Sequence, residues 1–190
     1  MKAFLWAILA IVTGAALGLG MTALSILSPP DFGVVRSGPW LARTRLGTNE
    51  ADPYSRALLA MRGEVPLGSV EGLTLSATTD SAGHTLHGNC IYRLSGHMPA
   101  TNFWTLTVVQ NGRSGDGGVR TSLTSSEAIY AEKGGLEVRL AAEVQPGNWL
   151  PLSRGSDVEI NLRLYETQAS TTLPVLERLA LPNIVRESCP

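Results

Sequence analysis

Residues 3–28, "AFLWAILAIVTGAALGLGMTALSILS", carry no charge at all. Lys2 precedes the run and Asp31 is the next charged residue. No other feature constrains the fold so strongly. An apolar run of about 20 residues or more spans a ~30 Å hydrocarbon core as a helix, and a small domain has no core large enough to bury it. Pro29-Pro30 stops that helix. Two readings follow. One is a cleaved signal peptide, with a positive start, an apolar run from Ala3 to Val12 and small residues such as Gly18 and Gly20 after it. The other is an uncleaved signal anchor, which the total length and the renewed apolar run Met21–Leu27 favour. Gly14 and Gly18 have the small-xxx-small spacing that lets two membrane helices pair closely, although glycines are also common in unpaired helices of this kind.

The chain therefore divides into residues 1–28, a signal anchor or transmembrane helix in the lipid bilayer; residues 29–50, a stalk or edge segment; and residues 51–190, the folded domain. Local charge leaves the orientation open. Lys2 lies before the helix, while Arg36, Arg43 and Arg45 lie after it, which argues against export of the domain, but long domains cross largely regardless of such charges.

The cysteines bear on the compartment. There are two, Cys90 and Cys189, and neither has the neighbours of a zinc site. A disulfide between them closes a loop of about 100 residues and is worth roughly 4–5 kcal/mol. It would clasp a tail that has little apolar sequence of its own, and such bonds persist in oxidising compartments. Two unrelated thiols are the alternative. With the bond, residues 31–190 lie outside the cytoplasm. The expected location is the bacterial inner membrane, single-pass, with the domain in the periplasm; secretion after signal cleavage is the other outcome.

Beyond the leader, "ADPYSRALLAMRGEVPLG" is the one clear soluble helix. Asp52 caps its amides, Pro53 takes the first position, and Gly63 and Pro66 end it. Its expected role is to cap one end of a sheet. From Gly72 the period becomes two. Leu73, Leu75 and Ala77 share a face, followed by Cys90, Tyr92 and Leu94, then Trp104, Leu106 and Val108. Asn111-Gly112 marks a hairpin, and "GRSGDGG" is its tip. "LEVRLAAE" is another strand. "DVEINLRLYE" puts Val158, Ile160, Leu162 and Leu164 inward and Glu159, Asn161, Arg163 and Tyr165 outward. Short strands with regular turns predict an all-β, antiparallel sandwich.

The segments "DPYSRALLAMRGEVPLG", "LHGNCIYRL", "NFWTLTVV", "GNWLPL" and "VEINLRLYET" occur in an order and spacing that resembles the family called domain of unknown function 1214, over residues 50–185. The resemblance implies a jelly-roll-like β-sandwich and a family without a settled activity. The chain is similar to short bacterial members in which one membrane helix precedes the domain, without the large N-terminal domain expected of longer members. "LHGN" departs from the family pattern in having no acidic residue beside Gly88.

The residues offer little for catalysis. The net charge of −1 gives no basic excess for nucleic acid. His84 and His87 would point to opposite faces of a strand, His97 stands apart, and no carboxylate completes a metal set. No G-x-S-x-G elbow, phosphate loop or selected carboxylate pair is present, so no metal, cofactor or catalytic residue is assigned. The expected ligand contacts are Trp149, a stacking platform in a Pro/Gly loop, with Arg163 and Tyr165 on the last strong strand. The expected function is a non-enzymatic binding or interaction module. The alternative is an enzyme or enzyme accessory acting on an envelope carbohydrate or peptide.

Overall fold

A computed structural model describes residues 2–27, 34–43, 47–48, 51–63, 65–68, 71–112, 120–167 and 179–189. It forms two compact units, one holding both helices and the other all the strands. The expected hairpin tip at 113–118 lies outside the described residues.

Helix α1 (Lys2–Leu27) is long and apolar enough to cross a membrane. Its side chains are bare on every side; Phe4, Leu5 and Trp6 are each 71% exposed. A helix apolar all round is stable only when something apolar surrounds it. Its hydroxyls are internally satisfied. Thr13 donates to the Leu9 carbonyl, Thr22 to Gly18 at 2.8 Å and Ser25 to Met21 at 2.9 Å, which removes the penalty of unpaired O–H groups in hydrocarbon. Helix α2 (Pro53–Arg62) has the expected ends: the Asp52 carboxylate accepts from the Ser55 amide at 2.9 Å, and Gly63 adopts φ 64°. It belongs to the same compact unit as α1, and Met61 is exposed.

Among the described residues, ten strands make two sheets. They are β1 (Val34–Ser37), β2 (Trp40–Arg43), β3 (Gly72–Ala77), β4 (Ile91–Gly96), β5 (Phe103–Gln110), β6 (Ser122–Thr124), β7 (Leu136–Ala141), β8 (Asn148–Pro151), β9 (Val158–Tyr165) and β10 (Asn183–Ser188). The larger sheet runs β1-β2-β3-β9-β5-β6, and the smaller runs β10-β4-β7-β8. The alternation in β9 is read out directly. Ile160, Leu162 and Leu164 are fully buried, and they share one apolar cluster with Tyr92, Leu94, Val138, Leu140 and Leu150 of the other sheet. Leu75, Trp104 and Leu106 join the same core. Segment 29–50 contributes β1 and β2 at the edge of the larger sheet, with Trp40 only 1% exposed.

Two features differ from a wholly antiparallel sandwich with a loose tail. First, β7 and β8 pair in parallel. Residues 142–147 bring the chain back so that Asn148 lies opposite Val138, and Gly147 at φ 79° permits the tight return. Second, the tail is a strand. β10 pairs antiparallel with β4 from Asn183↔Ser95 to Ser188↔Ile91, with a register shift between Arg186 and Ser188. Ile184 is fully buried, and the Trp40 indole donates to the Pro182 carbonyl at 2.7 Å. Cys189 then bonds to Cys90, with Cα atoms 4.2 Å apart and a sequence separation of 99.

The bond acts chiefly on the unfolded chain, by closing a long loop. Cys189→Ser is expected to lower the unfolding free energy by about 4 kcal/mol. Urea unfolding of the parent in the oxidised and reduced states should show the same difference. A loss below about 1 kcal/mol, the size of a single ordinary hydrogen bond, would mean that β10 holds without the clasp.

Candidate functional site

The three residues expected to bind ligand fall on two different sheets. Arg163 and Tyr165 lie on β9, on the face away from the core. Arg163 stands between Thr74 and Thr105 in register. Tyr165 stands opposite Phe103, with ring centroids 5.7 Å apart. Trp149 belongs to β8, where buried Asn148 and Leu150 alternate with half-buried Trp149 and Pro151. It therefore faces out from the smaller sheet. The structure brings Arg163 and Tyr165 together and leaves Trp149 across the core from them.

Trp149 has other neighbours. Its indole N–H donates to the Ala141 carbonyl at 3.0 Å, and its register partner is Arg139. It lines a groove of about 530 Å³ with Arg120, Leu123, Glu127 and Gln145. A smaller hollow of about 190 Å³ is lined by Tyr130, Glu137, Arg139 and Pro146, and shares Ile129, Gly147 and Asn148 with the groove. Asn148 builds both. Its buried amide accepts from the Ile129 N–H at 2.8 Å and donates to the carbonyls of Ile129 at 2.7 Å and Glu137 at 2.9 Å. A buried amide with its groups this well satisfied is a rigid anchor, and it fixes the loop before β7 against the β7–β8 pair.

The charge in the groove is balanced. Arg120 and Glu127 pair at 3.0 Å. The Thr124 hydroxyl above all, and then the Arg120 charge, hold the Glu127 carboxyl below its ordinary range against the opposing effect of burial. Glu127 is thus an ionised acceptor at neutral pH, not a proton donor. No serine, cysteine, histidine or lysine lines the groove among the described residues.

A second polar cluster surrounds Asp80, which is 3% exposed. Its Oδ1 accepts from the amides of Ala82 at 3.0 Å and His84 at 2.9 Å. Its Oδ2 lies 3.3 Å from Arg186 Nε on β10 and 3.4 Å from His84 Nδ1. Arg186 also donates to the Thr85 carbonyl at 2.9 Å and sits 5.7 Å from the centroid of the Tyr92 ring. Ser81 and Ile184 exchange two further bonds, at 2.8 and 2.9 Å. This cluster ties the 80–85 turn to the C-terminal strand. His87 meets Asp157 instead, at 3.9 Å, and no set of three metal-ligating residues occurs among the described residues. Gly88 is explained by close approach: a Cβ there would lie 1.9 Å from the Ser153 carbonyl oxygen.

Burial raises the pKa of Asp80, but the His84 and Ala82 amides and the charges of Arg186 and His84 outweigh it, so the net shift is downward. A carboxyl with a depressed folded pKa adds stability above its unfolded value of about 3.9, and that stability is lost as pH falls through the folded value. Asp80→Asn is expected to remove about 3 kcal/mol at pH 7, because it leaves Arg186 half-buried without its counter-charge. It should also flatten the acid limb of the stability curve below about pH 4. Chemical denaturation across pH 2–7, a range of about 5 units around that pKa, checks both effects. An unchanged acid limb would remove Asp80 as its source.

Comparisons with known proteins agree with this architecture. The family model described as "Protein of unknown function (DUF1214)" matches residues 71–169. No curated protein matches. The crystal structure of the VPA0106 protein from Vibrio parahaemolyticus aligns with a TM-score of 0.58 at 18% identity, over 76% of this chain and 39% of that one. An uncharacterized protein from Burkholderia cenocepacia aligns with a TM-score of 0.44 at 19% identity, over 66% of this chain and 32% of that one. This chain thus spans well under half the length of either, and the first likeness is one of fold.

Proposed function

The chain belongs to the DUF1214 family, and on that premise we propose that it is a membrane-anchored binding module of the bacterial envelope whose recognition surface is the groove beside Trp149. The observation that carries this reading is the groove itself. An aromatic side chain is pinned by its own N–H to Ala141 beside an open volume of about 530 Å³. The polar groups around it suit orientation of a ligand better than turnover, because among the described residues its one carboxylate is held ionised and no nucleophile–base pair adjoins it.

We read α1 as a retained anchor, with Gly14 and Gly18 as a surface for helix pairing, and the strand unit as jelly-roll-like and periplasmic. The support for export is the Cys90–Cys189 bond, since such bonds survive in oxidising compartments. Mass spectrometry of membrane fractions under non-reducing conditions should find residues 1–28 intact and the two thiols joined. A processed N-terminus would mean a secreted protein, and free thiols would remove the argument for the periplasm.

Binding is tested with a panel of envelope oligosaccharides and peptides against the full chain in detergent. A ligand bound by the parent should lose about tenfold or more in affinity on Trp149→Ala, the effect expected of a central aromatic contact. Binding that survives the substitution would move the site elsewhere. Turnover of a panel member, lost in the variant, would make the groove an active site instead.

A further inference from the structure

We propose that the outer face of the smaller sheet binds an acidic glycan, with Arg93 and Arg139 holding uronate carboxylates and Trp149 stacking against a sugar ring. This inference rests on the binding reading above, extends the site from the groove at Trp149 across the adjoining sheet face, and names its ligand class.

The strand register puts four outward side chains in one row: Val185↔Arg93, Arg93↔Arg139 and Arg139↔Trp149. The two central members are arginines directly opposite each other on β4 and β7. Like charges in that relation destabilise a sheet, and an outward position on a sheet does not require a cation. Each guanidinium is only partly engaged. Arg93 uses Nε toward Glu187 at 2.9 Å. Arg139 has Nε 3.6 Å from Glu137 and one terminal nitrogen 3.5 Å from Gln145. Among the described residues the terminal nitrogens of Arg93 meet no acceptor in the fold. The side chains are 38% and 32% exposed, open enough to be reached and shielded enough to favour a charged partner.

The row also selects the chemistry. Neighbouring strands lie about 4.8 Å apart, so the three side chains Arg93, Arg139 and Trp149 step across the face at that spacing. A guanidinium matches the planar fork of a carboxylate. Trp149 has already spent its N–H on Ala141, so the indole has only apolar ring surface left to offer. A uronate joins both requirements in one unit: a pyranose ring with C–H groups to stack, and a carboxylate attached directly to that ring. A neutral sugar would use Trp149 and leave the arginine pair without a purpose. A bare phosphate or lipid headgroup would use the arginines and leave Trp149 idle. Glu137 and Glu187 already compete for the two cations, so a single carboxylate gains little. Two carboxylates on one chain, engaging both arginines, gain more through effective concentration.

The test is calorimetric titration of the full chain in neutral detergent with tetragalacturonate, monogalacturonate and a neutral galactose tetramer. The tetra-uronate is expected to bind at least tenfold tighter than either of the others. Arg93→Gln and Arg139→Gln should each weaken it about tenfold while leaving the neutral tetramer unaffected. Trp149→Ala should weaken both tetramers. Thr107→Ala, on the outer face of the opposite sheet, should change neither. Unchanged unfolding midpoints show that each variant is folded. Equal binding of charged and neutral tetramers, no binding of either, or arginine variants that behave as the parent does would each overturn the inference. A neutral tetramer bound through Trp149 and indifferent to the arginines would overturn it while keeping the binding reading. Uronate binding indifferent to Trp149 would overturn both. Tighter arginine-dependent binding to phosphatidylglycerol vesicles would also overturn it, in favour of a lipid headgroup.

Discussion

The smaller sheet depends on keeping β10 against β4. β10 is an edge strand with one fully buried apolar side chain, Ile184, worth about 1.5–3 kcal/mol. Ordering each residue of such a strand costs roughly 1–2 kcal/mol of backbone entropy, and each ladder bond returns about 1 kcal/mol net. The ladder and Ile184 alone therefore leave the strand marginal. What holds it is a series of separate fastenings along its length. The Trp40 indole grips Pro182, Ser81 exchanges two bonds with Ile184, Asp80 faces Arg186, and Cys90 ends the series at Cys189. Their partners come from β2, from the 80–85 turn and from the residue before β4, so the strand is tied to three places at once. A terminal cysteine is useful there because the other fastenings are short-range and would fray together.

How much of this was legible depended on how many inward residues each strand carries. β9 has four inward apolar side chains in strict alternation, and its faces follow from the sequence alone. β3, β5 and the Tyr92–Leu94 stretch of β4 follow for the same reason, and the Asp52–Pro53 start of α2 is a local signal that needs no tertiary context. β10, "NIVRES", has one fully buried apolar residue, so its period is invisible and it reads as a tail. β8, "NWLP", sits between Pro146-Gly147 and Pro151, which mark a loop; Pro151 is tolerated because β8 is an edge strand. Period two placed Arg163 beside Tyr165 on one outward face. It could not say which sheet Trp149 would join, because that is set by the parallel return at 142–147, a non-local pairing with no signature in the residues themselves. The Arg93–Arg139 opposition was hidden likewise: the two residues lie far apart in sequence, and only the register makes them neighbours.

The two outer faces then separate on physical grounds. On the larger sheet, Arg163 is flanked by Thr74 and Thr105, and Asn161 by Ser76 and Thr107. Small hydroxyl side chains beside a cation are an ordinary solution for a half-buried sheet surface, and their one local cost is the buried Thr74 hydroxyl, which meets no hydrogen-bond partner among the described residues. On the smaller sheet a like-charged pair sits next to an aromatic residue. That arrangement works against folding, and local rules that a sequence breaks are where function is to be sought. The stronger signal thus lies on the face away from Arg163.

The same face is where stability and recognition meet. Arg93 is on β4, between β10 and β7, and its Nε is held by Glu187 of β10. Glu187 lies in the register shift between Arg186 and Ser188, two residues before Cys189. The disulfide thus lies beside the carboxylate that meets one guanidinium of the row. Glu187 lowers the repulsion between Arg93 and Arg139 across the two central strands. The clasp and the proposed anion site are in this way one arrangement, in which the acid that competes with the ligand also holds the arginine in place to receive it.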